Sequence, residues 1–83
     1  MNTVLVSEIA KTIKQIRLQK QLSQEELAKL SSLDRTYISG IENRHRNITL
    51  DSLENIIFAL GITPSVFFKI LINNLDLGDK NEE

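Results

Sequence analysis

Hydrophobic residues recur along most of the chain at the three- and four-residue steps of a helix, and no segment alternates convincingly as a strand would. In SEIAKTIKQIRLQKQ, the residues Ile9, Ile13 and Ile16 would share one helix face. This pattern predicts a first helix over about residues 7–20. Four further segments have helical spacing, so the expected fold class is all-α with five helices.

Two short helices with a tight turn between them are predicted next. Ser23 can accept a hydrogen bond from the amide of Glu26, whose carboxylate can reach back to the amide of Ser23, which is the pattern of a capping box. The second helix is therefore expected from Gln24 to about Ser31. Asp34 suits a further N-cap, because its carboxylate favours the positive end of the helix dipole.

Three more helices complete the predicted fold. The third is expected from Arg35 to about Asn43. The fourth would begin after its cap Thr49 and be closed by Gly61 in the left-handed conformation, and the fifth would begin at Pro64. The inward residues of the third and fourth helices are expected to be Ile38, Ile41, Leu50, Leu53, Ile56, Ile57 and Leu60.

The fifth helix, SVFFKILINNL, is apolar on nearly every side, so its residues cannot all face one small core. In a monomer the surplus would form an exposed patch, which predicts a dimer interface; a well-buried terminal helix is the alternative. The expected interface residues are Val66, Phe67, Phe68, Ile70, Leu71 and Leu75. The last eight residues are expected to fray, with an acidic tail at 78–83, which leaves residues 1–77 as a single domain.

Composition narrows the class of protein. A chain of 83 residues forms one small domain with a thin core, so association would help it. It has no cysteine and one histidine, which excludes disulfides and thiolate metal sites, and no cofactor is expected. The chain starts without a secretory signal pattern, and no apolar run approaches the roughly 18 residues of a membrane span. We therefore expect a cytoplasmic protein with no membrane partner.

Charge is unevenly divided between the two halves of the chain. The net charge of −1 offers no global attraction to phosphate. Residues 1–49, however, hold eight Lys and Arg against five Asp and Glu, a balance of +3, and residues 50–83 hold two against six, a balance of −4. Chance asymmetry on a solvated surface would give the same numbers, so a motif has to decide whether the basic half binds nucleic acid.

The two short helices have the organisation of a helix-turn-helix, and the sequence meets three requirements of that motif. Small and apolar residues such as Ala28 and Ile38 can lock the helices at a steep angle. Arg35 and Thr36 lie just past the cap of the second helix, where polar side chains reach base edges. Gln24 lies at the start of the first helix, where amides and a side-chain donor can meet a phosphate. Together these features predict DNA binding.

The segment QEELAKLSSLDRTYISGIENRHRN resembles the helix-turn-helix of the phage-repressor family (Cro/cI, also called XRE). LDRTYISGIE with the basic, Asn-containing loop after it resembles the controller proteins of restriction-modification systems. The resemblance spans nearly the whole chain and implies a five-helix phage-repressor-like DNA-binding domain, with the helix-turn-helix at about 24–43 and dimerisation through the last helix. One departure is Ser32, because the family usually has glycine in the turn; serine at positive φ would cost roughly 1 kcal/mol relative to glycine.

The resemblance also implies where bases are read. Phage repressors often read bases with a glutamine at the position matched by Gly40, so reading must move to the start of the third helix. The expected base-reading residues are Arg35, Thr36 and Ser39, and Arg35 can form a bidentate contact with guanine. Gly40 either lets the backbone or a neighbour approach closely or serves tight helix packing without a role in DNA contact.

Other polar residues around the motif are expected to contact the DNA backbone or the minor groove. Tyr37 would use its hydroxyl on a phosphate, with structural packing as the alternative. The loop after the third helix would lie along flanking phosphates, unless it is only a solvated basic loop. The expected residues are Gln24, Tyr37, Arg44, Arg46 and Asn47.

Two further roles follow from the resemblance. In phage repressors an arginine near the end of the first helix pairs with a glutamate at the end of the reading helix, and Arg17 and Glu42 match those positions. Such a pair would orient the reading helix more than it stabilises the fold. Glu25 matches the acidic position through which phage repressors contact RNA polymerase, so it is the expected polymerase contact.

These features predict a homodimeric, sequence-specific transcription regulator that binds palindromic operators in a bacterial restriction-modification operon. It would activate at low occupancy and repress when a second dimer fills a tandem site, with double-stranded DNA and RNA polymerase as partners. An antitoxin or a phage-type repressor of the same fold is the alternative. An enzyme is not expected, because the sequence shows no nucleophile–base pair, phosphate-cradling glycine loop or paired carboxylate site.

Overall fold

Five α-helices build the fold in the computed structural model, which describes the backbone of residues 4–81 and the side chains of residues 4–76. The helices are α1 Val4–Gln19, α2 Gln24–Ser31, α3 Arg35–Glu42, α4 Leu50–Ala59 and α5 Pro64–Asn81. No strand lies between residues 4 and 81. The prediction of an all-α fold with five helices is therefore confirmed.

Side-chain hydrogen bonds explain where α2 begins. Ser23 Oγ accepts from the amide of Glu26 at 3.0 Å, and the amide of Ser23 donates to Glu26 Oε1 at 2.8 Å, which confirms the capping box. The pKa of the Glu26 carboxyl is held below its ordinary value, mainly by the hydrogen bond with the Ser23 backbone and to a smaller extent by the one with the Ser23 side chain. Asp34 is the N-cap of α3 but, contrary to expectation, its side chain makes no cap hydrogen bond.

The turn between α2 and α3 uses a left-handed serine. Ser32 has a φ of 60°, and the amide of Leu33 donates to the carbonyl of Ala28 at 3.0 Å, which closes α2. Serine takes this conformation less readily than glycine, at a cost of roughly 1 kcal/mol. Gly61 follows α4 with a φ of 76°, as predicted. The turn required by a helix-turn-helix is thus formed without a glycine.

One face of each helix contributes to a single core. The buried hydrophobic residues are Ile9, Ala10, Ile13, Ile16, Leu27, Ala28, Ile38, Ile41, Leu53, Ile56, Ile57, Leu60, Phe67 and Leu71. The inward residues predicted for α3 and α4 are confirmed with one exception. Leu50 is 83% exposed, because it lies on the outer side of the first turn of α4.

The two faces of α5 differ, and this corrects part of the predicted dimer interface. Phe67 and Leu71 are buried against other helices of the same chain, so they have almost no surface left for a partner. Val66, Phe68 and Ile72 are between 41% and 56% exposed. The helix is therefore buried along one face, not all round as its composition suggested.

The remaining predictions for α5 concern its second half. Ile70 and Leu75 are partly buried against the core, so they border the face that Phe67 and Leu71 occupy. The backbone is helical through Asn81, so α5 extends into the last eight residues, for which fraying stays a prediction. Residues 82 and 83 of the predicted tail lie outside the described residues.

A polar contact joins the first and last helices. Asn74 Nδ2 donates to Thr12 Oγ1 at 2.8 Å and to Gln15 Oε1 at 3.0 Å. The Thr12 hydroxyl in turn donates to the carbonyl of Glu8 at 2.7 Å. Thr12 is fully buried, so its hydroxyl depends on these protein partners. The contact holds α5 against α1.

The bend between α4 and α5 returns the chain to α1. The axis of α5 turns by 104° from that of α4, and α5 then packs along α1. No single helix between residues 4 and 81 is long and apolar enough to cross a membrane. Only α4 and the first part of α5 taken together meet those criteria, and both helices bury one face in the core.

Candidate nucleic-acid interface

The first turn of α3 carries two polar side chains that point out of the molecule. Arg35 and Thr36 are exposed, and neither forms a hydrogen bond or ion pair with another described residue. Ser39, one turn further on, is half-buried, and its hydroxyl accepts a weak hydrogen bond from Asn43 Nδ2 at 3.4 Å. Ser39 is four positions from Arg35 and three from Thr36, so it neighbours both of them on the surface of α3.

A buried ion pair holds the other end of α3. Arg17 Nε donates to Glu42 Oε2 at 2.7 Å, and Arg17 Nη2 donates to Glu42 Oε1 at 3.0 Å, so the contact is bidentate. The two side chains are only 8% and 2% exposed. Arg17 Nη1 also donates to the carbonyl of Leu22 at 2.7 Å, just before α2. The predicted pair is present, and both of its side chains are almost fully buried.

Gln24 belongs to the same polar cluster. Its Nε2 donates to Glu42 Oε1 at 3.1 Å, which joins the first residue of α2 to the last residue of α3. An amide nitrogen has two hydrogens, so the second is available for the predicted phosphate contact. This contact helps to set the angle between the helices. Sequence reasoning missed it because no local spacing indicates that angle.

The loop after α3 folds back onto the helix over Gly40. The Gly40 carbonyl accepts hydrogen bonds from the amides of His45 at 2.7 Å and Arg46 at 3.1 Å. A Cβ atom added to Gly40 would lie only 2.7 Å from Arg46 Cγ. Of the two roles considered for this glycine, the structure supports the close approach of a neighbour.

Tyr37 lies beside this loop and contacts it in two ways. The Arg46 guanidinium carbon is 5.7 Å from the centre of the Tyr37 ring, within the range of a cation–π contact. The Tyr37 hydroxyl donates to the carbonyl of Asn47 at 3.5 Å, at the outer limit of a hydrogen bond. The ring itself packs against the core. Tyr37 therefore has a packing role, and its hydroxyl is weakly held and accessible to another acceptor.

Arg44 is oriented differently from the other loop residues. Its φ is 63°, and its Nη1 donates to Ser7 Oγ on α1 at 3.2 Å. Arg46 and Asn47 are exposed beside Tyr37. The structure thus brings two of the three predicted loop residues together with Tyr37 and places the third against α1.

Glu25 occupies an accessible position in the first turn of α2. It is exposed and forms no hydrogen bond or ion pair with another described residue. Its neighbour Glu26 is occupied by the capping box. Of the two acidic residues in this turn, Glu25 is the one available to a protein partner.

A second accessible surface lies on α4 and α5, away from the polar cluster. We call it the outer apolar face, and it consists of Leu50, Phe58, Val66, Phe68 and Ile72. Phe58 is 86% exposed. A cavity of about 270 Å³ lies within this surface and is lined by Leu50, Asp51, Leu53, Glu54, Ile57, Pro64 and Phe68. Leu50 was predicted to lie in the core, and the exposure of Phe58 was not predicted, although the four-residue spacing of Phe58 from Glu54 marks the outward side of α4.

Residues 13–67 match the helix-turn-helix family model, and the chain belongs to this family of DNA-binding proteins. Within this family, the chain is 53% identical to the control protein C.BamHI of Bacillus amyloliquefaciens over 53 residues. The aligned segment covers 63% of this chain and 65% of that protein. It is 51% identical over 57 residues to the control protein C.MunI of a Mycoplasma species, covering 68% of this chain and 77% of that one. The resemblance to controller proteins is confirmed.

The fold is also similar to solved structures of a controller protein. The wild-type restriction-modification controller protein C.Esp1396I superposes with a TM-score of 0.85 and is 51% identical, over 86% of this chain and 93% of that chain. Another structure shows that controller as a tetramer in complex with its natural 35 base-pair operator, and it matches this chain with a TM-score of 0.84. The five-helix arrangement described above is therefore the controller-protein fold.

Proposed function

We propose that this protein is a sequence-specific transcription regulator that binds the operators of a restriction-modification operon as a homodimer. The observation that carries the proposal is the exposed start of α3, where Arg35 and Thr36 have no partner in the described chain. The far end of that helix is held by the buried pair of Arg17 and Glu42. The similarity to control proteins supports the choice of operon, and the operator complex of the structural relative supports DNA as the partner.

Base recognition in this proposal takes place in the major groove, which admits the first turn of α3. Arg35 donates two hydrogen bonds to O6 and N7 of a guanine, and Thr36 contacts a thymine methyl or a phosphate. Ser39 meets a neighbouring base from the same side of the helix. In a dimer the two copies of α3 enter successive grooves about 34 Å apart, so the operator is roughly palindromic.

Contacts with phosphates fix the register of the protein on the DNA. The N-terminal amides of α2 and the second amide hydrogen of Gln24 bind one phosphate. Tyr37, Arg46 and Asn47 bind phosphates that flank the bases. Arg44 joins them only by exchanging its contact with Ser7 for one with DNA. Because each neutralised phosphate releases counterions, affinity falls as salt rises.

Dimerisation in this proposal uses the outer apolar face. Several exposed apolar side chains on two packed helices favour an interaction site, and a small domain gains stability by covering them. Phe58 and Phe68 supply aromatic side chains, which are enriched at protein interfaces. The cavity beside Phe68 offers a recess for a side chain of the second copy. A twofold axis brings the same face of each copy together.

Phe58→Asp is expected to weaken the dimer roughly 1,000-fold, because a buried interface aromatic contributes about 2 kcal/mol and occurs twice in a twofold interface. The free energy of unfolding of the monomer should change by less than about 0.5 kcal/mol, because the Phe58 side chain is 86% exposed. Sedimentation equilibrium measures the dimer dissociation constant. Leu18→Asp, at an exposed leucine on α1, is the matched control and should leave the dimer intact.

Glu25→Gln is expected to keep operator affinity within about twofold and to lose activation of transcription, because it removes the one carboxylate in the first turn of α2 that the capping box does not use. The measurement is in vitro transcription from the operon promoter at saturating protein, beside a binding titration. In the proposed cycle, one bound dimer activates through RNA polymerase and a second dimer on a tandem site represses. Loss of DNA binding together with activation would reject Glu25 as a polymerase contact.

The proposed function is tested by titrating the purified protein against its own upstream DNA in a gel shift at two salt concentrations. A specific shift in two steps that weakens with salt is expected from dimers filling tandem sites. Failure to distinguish this DNA from an unrelated fragment would refute the proposal. The proposed role involves binding without catalysis, and it places the protein in the bacterial cytoplasm, where the operon lies.

A further inference from the structure

Gly40 is close to the side chain of a residue that the proposed function uses on DNA. A Cβ built on Gly40 would lie 2.7 Å from Arg46 Cγ and 3.4 Å from Arg46 Cβ. The first of these distances is far shorter than non-bonded carbon atoms tolerate. The stem of Arg46 therefore occupies the space that any other residue at position 40 would fill.

The loop backbone does not easily move to relieve such a clash. The amides of His45 and Arg46 both donate to the Gly40 carbonyl, at 2.7 Å and 3.1 Å. Arg44 enters the loop with a φ of 63°, a conformation that few residues other than glycine adopt. The clashing atom, Cγ, is also near the start of the side chain, so bending the far end of the arginine does not help. A side chain at position 40 would force Arg46 into another χ1 rotamer.

That change would remove the arginine head from its present place. The guanidinium carbon lies 5.7 Å from the centre of the Tyr37 ring, and Arg46 is otherwise exposed. The ring thus holds the charged head while leaving its donors accessible. If the aliphatic part of the Arg46 side chain leaves the space beside Gly40, the guanidinium moves away from Tyr37 into solvent, where it can take many orientations.

We propose that Gly40 is a positioning residue for DNA recognition: its missing side chain seats the Arg46 stem so that Tyr37 presents the Arg46 guanidinium to a phosphate. Gly40 contacts no DNA itself in this arrangement. The inference rests on the proposed DNA binding and adds a specific role for a helix position that lacks a side chain. It also explains why a poor helix-forming residue occupies the interior of α3.

The test is a double-mutant cycle on the operator with wild type, Gly40→Ala, Arg46→Ala and the double variant. Gly40→Ala is expected to weaken binding about 100- to 10⁴-fold, as does Arg46→Ala, because each removes a charge-assisted contact that the dimer makes twice. The salt dependence should fall by about one phosphate contact per protomer in both variants. In the double variant, Gly40→Ala should add less than about threefold, because alanine at position 46 has no Cγ to clash.

Two further measurements distinguish a displaced Arg46 side chain from a loss of folding in the Gly40→Ala variant. The Tm of Gly40→Ala should change by only a few degrees, because the better helix propensity of alanine offsets the cost of displacing Arg46 from Tyr37. Tyr37 is the only tyrosine and the chain has no tryptophan. The three Phe rings also shift nearby protons, so a Tyr37→Leu variant identifies the part of the upfield shift of the Arg46 side-chain protons that comes from Tyr37. Gly40→Ala should abolish that part of the shift in the NMR spectrum.

The outcomes distinguish the inference from the proposed function. If wild-type protein binds its operator and the Gly40→Ala variant binds it equally well, the inference about Gly40 is overturned and the proposed function stands. The inference is also overturned if Gly40→Ala lowers operator affinity by the same factor in the wild-type and in the Arg46→Ala background, because Gly40 would then act independently of Arg46. A wild-type protein that does not bind its upstream DNA would reject the proposed function and the DNA role of Gly40 with it, and the NMR spectrum would still decide the seating.

Discussion

Arg17→Ala is expected to lower the free energy of unfolding by about 3 to 5 kcal/mol, because it leaves the Glu42 carboxylate buried without its cationic partner. The Glu42 side chain is 2% exposed, and besides Arg17 its carboxylate accepts a hydrogen bond from Gln24. The Leu22 carbonyl loses a donor as well. Urea denaturation followed by circular dichroism measures the change, provided that the slope with denaturant stays constant.

The role of the pair in orientation needs a variant that folds. Arg17→Met combined with Glu42→Leu replaces both charges with apolar side chains of similar size, and such swaps are often neutral or stabilising. We expect the double variant to recover most of the lost stability but to bind the operator weakly, because α3 no longer has a bidentate anchor and Gln24 loses its acceptor. A stable double variant with wild-type operator affinity would show that the pair does not orient α3.

Arg35→Ala is expected to weaken specific operator binding roughly 30-fold to 10⁴-fold. A bidentate arginine–guanine contact discriminates by about 1 to 3 kcal/mol, and a dimer makes it twice at well-separated sites. Because the Arg35 side chain is exposed and forms no hydrogen bond or ion pair with another described residue, the stability of the protein should change by less than about 0.5 kcal/mol. The measurement is a gel-shift titration with operator DNA and with an unrelated fragment.

Lys14→Ala is the charge-matched control for Arg35. Lys14 is exposed on α1, so its removal takes away one positive charge without touching the first turn of α3. The two variants should lose non-specific binding to a similar, small extent, and only Arg35→Ala should lose preference for the operator. Equal losses on both DNA fragments would mean that Arg35 contacts phosphate, and base reading would have to be assigned to Thr36 or Ser39.

Local signals in the sequence located the helices well. The capping box at Ser23 and Glu26 and the left-handed Gly61 depend on residues within a few positions of each other, and the structure contains both. The exposed position of Arg35 follows from the N-cap before it. The pair of Arg17 and Glu42, 25 residues apart, was predicted only because the family resemblance supplied it.

Contacts between helices were beyond what spacing could indicate. The bond from Gln24 to Glu42 depends on the angle between α2 and α3, and the bond from Arg44 to Ser7 spans 37 residues. For α5, a helix with apolar residues on nearly every side gives no periodic signal, so its inner and outer faces could not be told apart. Leu50 was assigned to the core because its spacing from Leu53 suited an inward face, and tertiary packing overrode that pattern.

The division of α5 into two faces separates two kinds of evolutionary change. Phe67 and Leu71 fill the core, so substitutions there would open cavities and lower stability. Val66, Phe68 and Ile72 face outward, so their shape and charge can vary at little cost to the monomer. When a cell carries several related regulators, changes confined to these outward positions can prevent mixed dimers, since a poor fit between unlike faces is enough for discrimination. One helix can thus keep an inherited fold while each copy of the gene acquires its own choice of partner.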